Sequence, residues 1–134
     1  MTADANQRAL ARGVEQFIAD YVDTLDKLEL LTVMIESTDK WWDATSAAQA
    51  LGTTTDAARQ MLERFAAQNL LAIRVTGNVR YQYQPGDPRL EAAVAAFATA
   101  YRTNRLGVLR LVTTRRSSLR DFADAFRIRR DDDR

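Results

Sequence analysis

The sequence predicts a mainly α-helical fold that contains one small β-hairpin. Most of the chain has apolar residues at helical spacing, whereas residues 70–84 alternate between apolar and polar side chains on both sides of Gly77-Asn78. A second observation is the stretch AAQALGTTTDAARQMLERF, residues 47–65, in which a glycine and three threonines separate two helical runs. With 134 residues and no repeat or linker-like segment, the chain is expected to form a single domain over residues 1–134.

Two helices are predicted in the N-terminal part of the chain. Residues 7–21 have apolar side chains at helical spacing, with arginine and glutamate on the remaining surface. Thr24 has a side chain suited to cap a second helix, which runs to about Ser37. Apolar side chains cover so much of this second helix that we expect it at the centre of the core; they are Leu25, Leu28, Leu30, Leu31, Val33, Met34 and Ile35.

The stretch around the glycine predicts a pair of short helices. Asp43 can cap a helix that ends at Gly52, because glycine readily adopts the left-handed conformation found at helix ends. Thr53 or Thr54 can cap the next helix, over residues 54–68. Just before this pair, the dipeptide Trp41-Trp42 reads as a break in which at least one indole belongs to the core.

The hairpin over residues 70–84 has one apolar face, and further helices are predicted over residues 88–129. Leu71, Ile73 and Val75 are expected to point one way, and Tyr81 and Tyr83 are expected to pack on the domain.

Asp87 and Pro88 can begin the next helix, and a bend or break is expected near Asn104–Gly107. The helix after Pro88 has the four-three-four spacing of a helix that packs on another helix, at Leu90, Val94, Phe97 and Tyr101. Ser118 can cap a last helix with an apolar face formed by Leu119, Phe122, Ala123 and Phe126.

The order of these elements, with a glycine turn between two helices and a hairpin after them, resembles a winged helix-turn-helix. The segment from Ala44 to Glu63 is similar to the bacterial helix-turn-helix over its full length, with the small Ala48 four residues before Gly52. The hairpin looks like the wing, and the resemblance covers roughly residues 25–84. It implies a mainly α fold with a small β-hairpin wing, extra N- and C-terminal helices and a DNA-binding function.

The flanking helices extend this resemblance. Helices 7–21 and 88–129 resemble the dimerisation elements of small MarR-like bacterial transcriptional regulators, which implies a homodimeric, cytoplasmic regulator of transcription. The FADAF segment, residues 122–126, is also similar to that of uncharacterised small bacterial winged-helix proteins, and this second resemblance implies no function.

If the helix over residues 54–68 enters a major groove, its N-terminal and outward side chains meet the bases. Arg59 can form two hydrogen bonds with guanine and Gln60 can do the same with adenine, while a threonine at the helix start can bond a phosphate. The predicted DNA contacts are Thr54, Thr55, Arg59, Gln60 and Arg64 in this helix, and Arg74, Asn78 and Arg80 in the wing.

The charges on this surface leave an alternative open. Residues 53–87 contain four basic and three acidic side chains, a net charge of +1, and Asp56 and Glu63 share the outward surface with the candidate contacts. Affinity for DNA depends largely on neutralising phosphates, so a monomer would bind weakly and a dimer would double the number of cations. Arg59 and Glu63 could instead form an ordinary surface ion pair. The alternative function is therefore a winged-helix module that binds another protein and not DNA.

The packing of the C-terminal helices also has two interpretations. The row formed by Leu90, Val94, Phe97 and Tyr101 is either intramolecular core or a dimer interface, and the dimer is favoured because symmetric dimers are the commonest oligomers. Phe122 and Phe126 are expected to be buried in the same assembly. Asn104 continues the row and could fix its register as a buried polar residue.

Composition disfavours several classes of function. The chain has no cysteine and no histidine, and it lacks the glycine-rich phosphate-binding motifs, so we expect neither an enzyme nor a metal or cofactor site. No apolar run reaches about 18 residues, so no transmembrane helix is expected. A small-molecule effector could bind between the helix-turn-helix and the C-terminal helices, although no residue identifies such a ligand.

Overall fold

The computed structural model describes the backbone of residues 2–113 and the side chains of residues 12–113. Within this part of the chain there are six helices and two strands. After α5, helical backbone resumes over residues 105–113, which we call α6. The other elements, in chain order, are α1 (Thr2–Tyr21), α2 (Leu25–Glu36), α3 (Ala44–Leu51), α4 (Thr55–Ala67), β1 (Leu71–Thr76), β2 (Asn78–Tyr83) and α5 (Pro88–Thr103).

The first and fifth helices pack on each other through aromatic rings. The ring centroids of Phe17 and Phe97 are 5.2 Å apart, and those of Phe97 and Tyr101 are 6.2 Å apart. Leu90, Val94 and Phe97 are buried within the single chain. The intramolecular interpretation of this row therefore holds for these three side chains, and a dimer interface stays a prediction.

The second helix lies in the core, and its cap is the predicted one. The Thr24 hydroxyl oxygen accepts a hydrogen bond from the Lys27 backbone N–H at 3.2 Å. Thr32, the polar residue on the apolar side, donates its hydroxyl hydrogen to the Leu28 carbonyl at 2.8 Å, so that its hydroxyl does not remain unpaired. The fully buried side chains are Leu28, Leu30, Leu31 and Met34, whereas Leu25, the first residue of the helix, is exposed.

The next two helices form the helix-turn-helix. Asp43 caps α3 by accepting a hydrogen bond from the Ser46 backbone N–H at 2.7 Å, and the Ser46 hydroxyl oxygen accepts one from the Asp43 backbone N–H at 3.1 Å. Gly52 has φ 71°, the left-handed conformation that the sequence predicts. The two helices pack together and bury small side chains, Ala47 and Ala48 from α3 and Ala58 from α4, which permits their axes to approach closely.

The two strands form an antiparallel hairpin that joins at Gly77, where φ is 86°. A third extended segment, absent from the sequence prediction, pairs with it: the backbones of Trp42 and Tyr81 exchange two hydrogen bonds, each 2.7 Å long. The segment before α3 is thus tied to the hairpin after α4. Helix, short extended segment, two helices and hairpin are the elements of a winged helix-turn-helix, and the chain has this fold.

The junction after α5 differs from the prediction at one residue. The break occurs at Asn104, as expected, but its side chain is exposed and not buried in a helix seam. Its Oδ1 accepts a hydrogen bond from the Gly107 backbone N–H at 3.2 Å, so Asn104 acts as the cap of α6. The predicted last helix, with Ser118, Phe122 and Phe126, lies outside the described residues.

Candidate nucleic-acid interface

The fourth helix has one buried side and one exposed side. Ala58, Met61, Leu62 and Phe65 are buried. The Thr54 hydroxyl oxygen accepts a hydrogen bond from the Ala57 backbone N–H at 3.1 Å, which decides between the two threonines proposed as the cap. Thr55 is half-buried at the start of the helix. The predicted DNA contacts Arg59, Gln60 and Arg64 all lie on the exposed side, together with Asp56 and Glu63.

Arg59 is engaged in an ion pair, but not with the residue that its sequence position suggested. Its Nη1 lies 2.7 Å from Asp56 Oδ1, one helical turn towards the N-terminus, and the ion pair is not with Glu63, the alternative partner named from the sequence. The carboxylate near the start of the helix also interacts favourably with the helix dipole, which supports this choice. Both side chains are well exposed, so the pair is weak and can be exchanged for another anion.

The wing carries two arginines on the face opposite its apolar residues. Arg74 and Arg80 are direct cross-strand partners, so their side chains lie on the same face of the hairpin. The Arg74 guanidinium carbon is 4.4 Å from the centroid of the Trp41 ring, a cation–π contact that orients this arginine. Trp41 is half-exposed and Trp42 is buried, so one indole of the pair is in the core, as expected.

The N-terminus of α3 lies near the second arginine of the wing. Hydrogen bonding from the Ser46 backbone N–H lowers the pKa of Asp43 below its ordinary value, and the positive charge of Arg80 contributes in the same direction. Arg80 is thus close to one carboxylate, while Arg74 is oriented by an uncharged ring.

A cleft of about 360 Å³ separates the fourth helix from the wing. It brings together two of the predicted contacts, Arg59 from α4 and Asn78 from the tip of the wing. Asp43 and Glu63 line it as well, so its charge is mixed. Gln60, Arg64, Arg74 and Arg80 do not line this cleft, and the candidate interface is therefore a broad surface, not a closed pocket.

The apolar face of the hairpin is buried only near its base. Leu71 and Tyr81 are buried, and burial raises the pKa of Tyr83 to about 12, with repulsion from the Glu91 carboxylate of α5 as a second cause. Towards the tip the same face is uncovered: Ile73 is 54% exposed, Val75 is 69% exposed and Val79 is 44% exposed. Exposed β-branched residues in neighbouring positions indicate a contact surface. Sequence alternation placed Ile73 and Val75 on one face of the hairpin, but it could not predict how far the core extends beneath that face.

A second cleft lies between α2 and α5. No residue of α3 or α4 lines it, so it is not the space between the helix-turn-helix and the C-terminal helices where the sequence suggested an effector site. Its volume is about 550 Å³, within the range of small-molecule sites. Its lining includes the apolar or aromatic residues Ile35, Phe97 and Tyr101 and the charged residues Glu36 and Arg105. No ligand follows from this lining, so an effector remains a prediction.

The described residues contain neither a candidate metal-binding cluster nor a candidate membrane-spanning helix. Residues 12–113, whose side chains are described, contain no group of three or more acidic, cysteine or histidine side chains placed to hold a metal ion. None of the helices in residues 2–113 is both long and apolar enough to cross a membrane.

Comparison with known proteins identifies no family for this chain. No model of a protein family matches it. No curated protein matches it significantly. Among solved structures, it is similar to NolR from Sinorhizobium fredii, with a TM-score of 0.46 and 19% identity over 75% of this chain and 93% of that one. It is also similar to ligand-free NadR, with a TM-score of 0.43 and 14% identity over 94% of this chain and 96% of that one. Both scores are too low to bear on function, and the MarR-like resemblance stays a prediction.

Proposed function

We propose that this chain is a sequence-specific DNA-binding protein, a homodimeric regulator of transcription that reads the major groove with α4. The observation that carries the proposal is the uncovered outer side of α4 in a winged-helix fold. Arg59, Gln60 and Arg64 project from that side, and no described element covers them. A helix fits the major groove of B-DNA, where arginine and glutamine side chains distinguish guanine and adenine.

The arginine pair of the wing supports the proposal. Two like charges placed directly opposite each other in a hairpin are destabilising. Arg74 and Arg80 occupy such positions on the exposed face, so an anion between or beside them would relieve their repulsion. A DNA phosphate is such an anion, and phosphate contacts supply most of the sequence-independent affinity.

The modest number of cations supports the homodimer in the same proposal. Arg59 is paired with Asp56, and Glu63 lies on the same exposed side of α4, so each protomer offers few uncompensated charges. Two copies on one site would double the phosphate contacts. Among the residues predicted for the dimer interface, Tyr101 is half-buried in the described chain, whereas Phe122 and Phe126 lie outside the described residues. Light scattering at micromolar concentration would measure the oligomeric state directly.

The test is fluorescence anisotropy with fragments of the source genome at several salt concentrations. We expect binding with preferred fragments and a steep dependence on salt. The double variant Arg74→Gln/Arg80→Gln should reduce the slope of log K against log salt by about 0.9 for each lost phosphate contact. The matched control is Arg12→Gln/Arg110→Gln, which removes the same charge from exposed positions on α1 and α6.

The outcomes separate the proposal from nonspecific attraction. If both double variants lower the slope equally, binding reflects net charge and not the wing. If the wild-type protein has lost all binding at about 100 mM salt and prefers no fragment, α4 does not read DNA.

The exposed apolar tip of the wing favours a second candidate function, a protein-interaction module. Ile73, Val75 and Val79 are uncovered, and protein interfaces bury such groups at their centre. In that case Val75→Thr/Val79→Thr should abolish capture of a stoichiometric partner, whereas Arg74→Gln/Arg80→Gln should leave the capture unchanged. The reverse pattern would exclude the apolar tip as the partner site.

A further inference from the structure

The helices outside the winged-helix core form an apolar groove. It lies between α1, α5 and α6 and has a volume of about 620 Å³. Its walls are built largely from small or aliphatic residues, among them Val14, Ala96, Ala100, Gly107, Val108 and Leu111. Small side chains on facing helices leave room for larger side chains from another element.

The sequence supplies an apolar element of matching size next to this groove. Residues 118–126 are predicted to form a helix with Leu119, Phe122, Ala123 and Phe126 on one face. Leu111 of the groove wall precedes Leu119 by eight positions, and five residues separate Leu119 from Thr113, the last described residue. Connections of two to eight residues commonly join antiparallel neighbouring helices.

We propose that the segment 118–126 occupies this groove in its own chain, with Phe122 and Phe126 inserted between α1, α5 and α6. A segment tethered so closely has an effective concentration of the order of millimolar, far above that of a second copy at micromolar concentration. The charges of the groove and of the chain that leads into the segment are also opposite in sign, because Glu15 lines the groove and residues 115–120 contain three arginines. The two phenylalanines then belong to the core of their own chain and not to a dimer interface.

Disulfide trapping tests this placement. Because the chain has no native cysteine, any disulfide that forms must join the introduced cysteines. The variants pair a groove cysteine, Ala96→Cys or Ala100→Cys, with Ala123→Cys on the predicted apolar face. The matched control pairs the same groove cysteines with Ala125→Cys, which lies on the opposite side of the predicted helix. After mild oxidation we expect at least one Ala123→Cys pair to form an intramolecular disulfide at least fivefold faster than its control.

Two results would overturn the proposal. Disulfide-linked dimers as the main product would place the segment in the groove of a second copy. Equal trapping of the Ala123→Cys and Ala125→Cys pairs would mean that the predicted face has no fixed position. A second measurement does not depend on cysteines: Phe122→Ser/Phe126→Ser should increase the fluorescence of an apolar dye at the groove while the unfolding transition remains cooperative. Unchanged dye binding would argue against an occupied groove.

Discussion

The contact between α1 and α5 in the helical framework (α1, α5 and α6) and the contact between α3 and α4 in the winged-helix half (α2 to β2) are packed in opposite ways. In the framework, α1 and α5 meet through the large rings of Phe17 and Phe97. In the helix-turn-helix, α3 and α4 pack with alanines, Ala47, Ala48 and Ala58, and with a left-handed glycine between them. Large buried rings contribute stability through the area that they remove from water, whereas alanines set the distance between two helices.

This difference predicts that the two contacts respond in opposite ways to mutation. Removing atoms should harm the contact between α1 and α5 most, because a cavity remains where a ring was. Adding atoms should harm the helix-turn-helix most, because α4 would be pushed out of position. Since α4 carries the candidate DNA contacts, its position relative to the wing matters for function as well as for stability.

The largest effect is expected from Phe97→Ala. This ring is buried between α1 and α5, and its loss should lower the free energy of unfolding by about 3–5 kcal/mol. Urea denaturation followed by circular dichroism would measure the change. The control is Leu106→Ala, which removes a side chain that is 68% exposed and should cost under about 0.5 kcal/mol. Equal losses for the two variants would mean that the framework does not depend on its rings.

The second effect, in the other region, is expected from Ala58→Leu. The added atoms have no room at this fully buried position, and the change should destabilise the fold by about 1–3 kcal/mol. It should also weaken DNA binding beyond the loss explained by unfolding, because α4 would move. Ala67→Leu is the matched control, since Ala67 is exposed on the same helix. A stable Ala58→Leu variant with normal DNA affinity would contradict the packing argument.

A smaller effect is expected at the cap of α3. Asp43→Ala should cost about 0.5–2 kcal/mol because it removes the acceptor for the Ser46 backbone N–H. Since the folded-state pKa of Asp43 is lowered, its charge stabilises the fold above the unfolded pKa of about 3.9, and this contribution is lost as the pH falls through the folded pKa.

The control for the cap separates charge from hydrogen bonding. Asp43→Asn keeps an acceptor oxygen, so it should retain most of the stability at neutral pH but lose the dependence on pH below about 4. Thermal unfolding at pH 7 and at pH 3 measures both effects. If wild type and Asp43→Asn respond identically to acid, the carboxylate is not the group responsible.

The smallest effect concerns the outer side of α4 and leaves the packing of both regions unchanged. Asp56→Asn removes the carboxylate that pairs with Arg59, so the arginine becomes free to bind DNA and affinity should rise a few-fold. Arg59→Ala should lower affinity and relax the preference at one base pair. Anisotropy titrations with a preferred fragment measure both. The matched control is Glu63→Gln, which removes a carboxylate that makes no ion pair with Arg59.

Local sequence signals predicted most of the elements because each depends on neighbouring residues. Asp43, Thr54 and Asp87 cap the helices that follow them, and Gly52 ends α3, as their side chains and positions indicated. The alternation of apolar and polar residues over 70–84 likewise predicted the two strands of the hairpin. In contrast, the ion-pair partner of Arg59 could not be predicted. Two carboxylates, Asp56 and Glu63, lie about one helical turn from Arg59, and spacing alone does not select between them; in the structure the partner is Asp56.

The sequence by itself determined the succession of helices and hairpin, since periodicity and capping are properties of residues close together in the chain. Only the tertiary structure decided which apolar residues are covered. It buried Leu90, Val94 and Phe97 in their own chain, left Ile73 and Val75 exposed, and paired Trp42 with Tyr81 across 39 positions of sequence. Burial and long-range backbone pairing depend on which elements meet in space, and no local pattern contains that information.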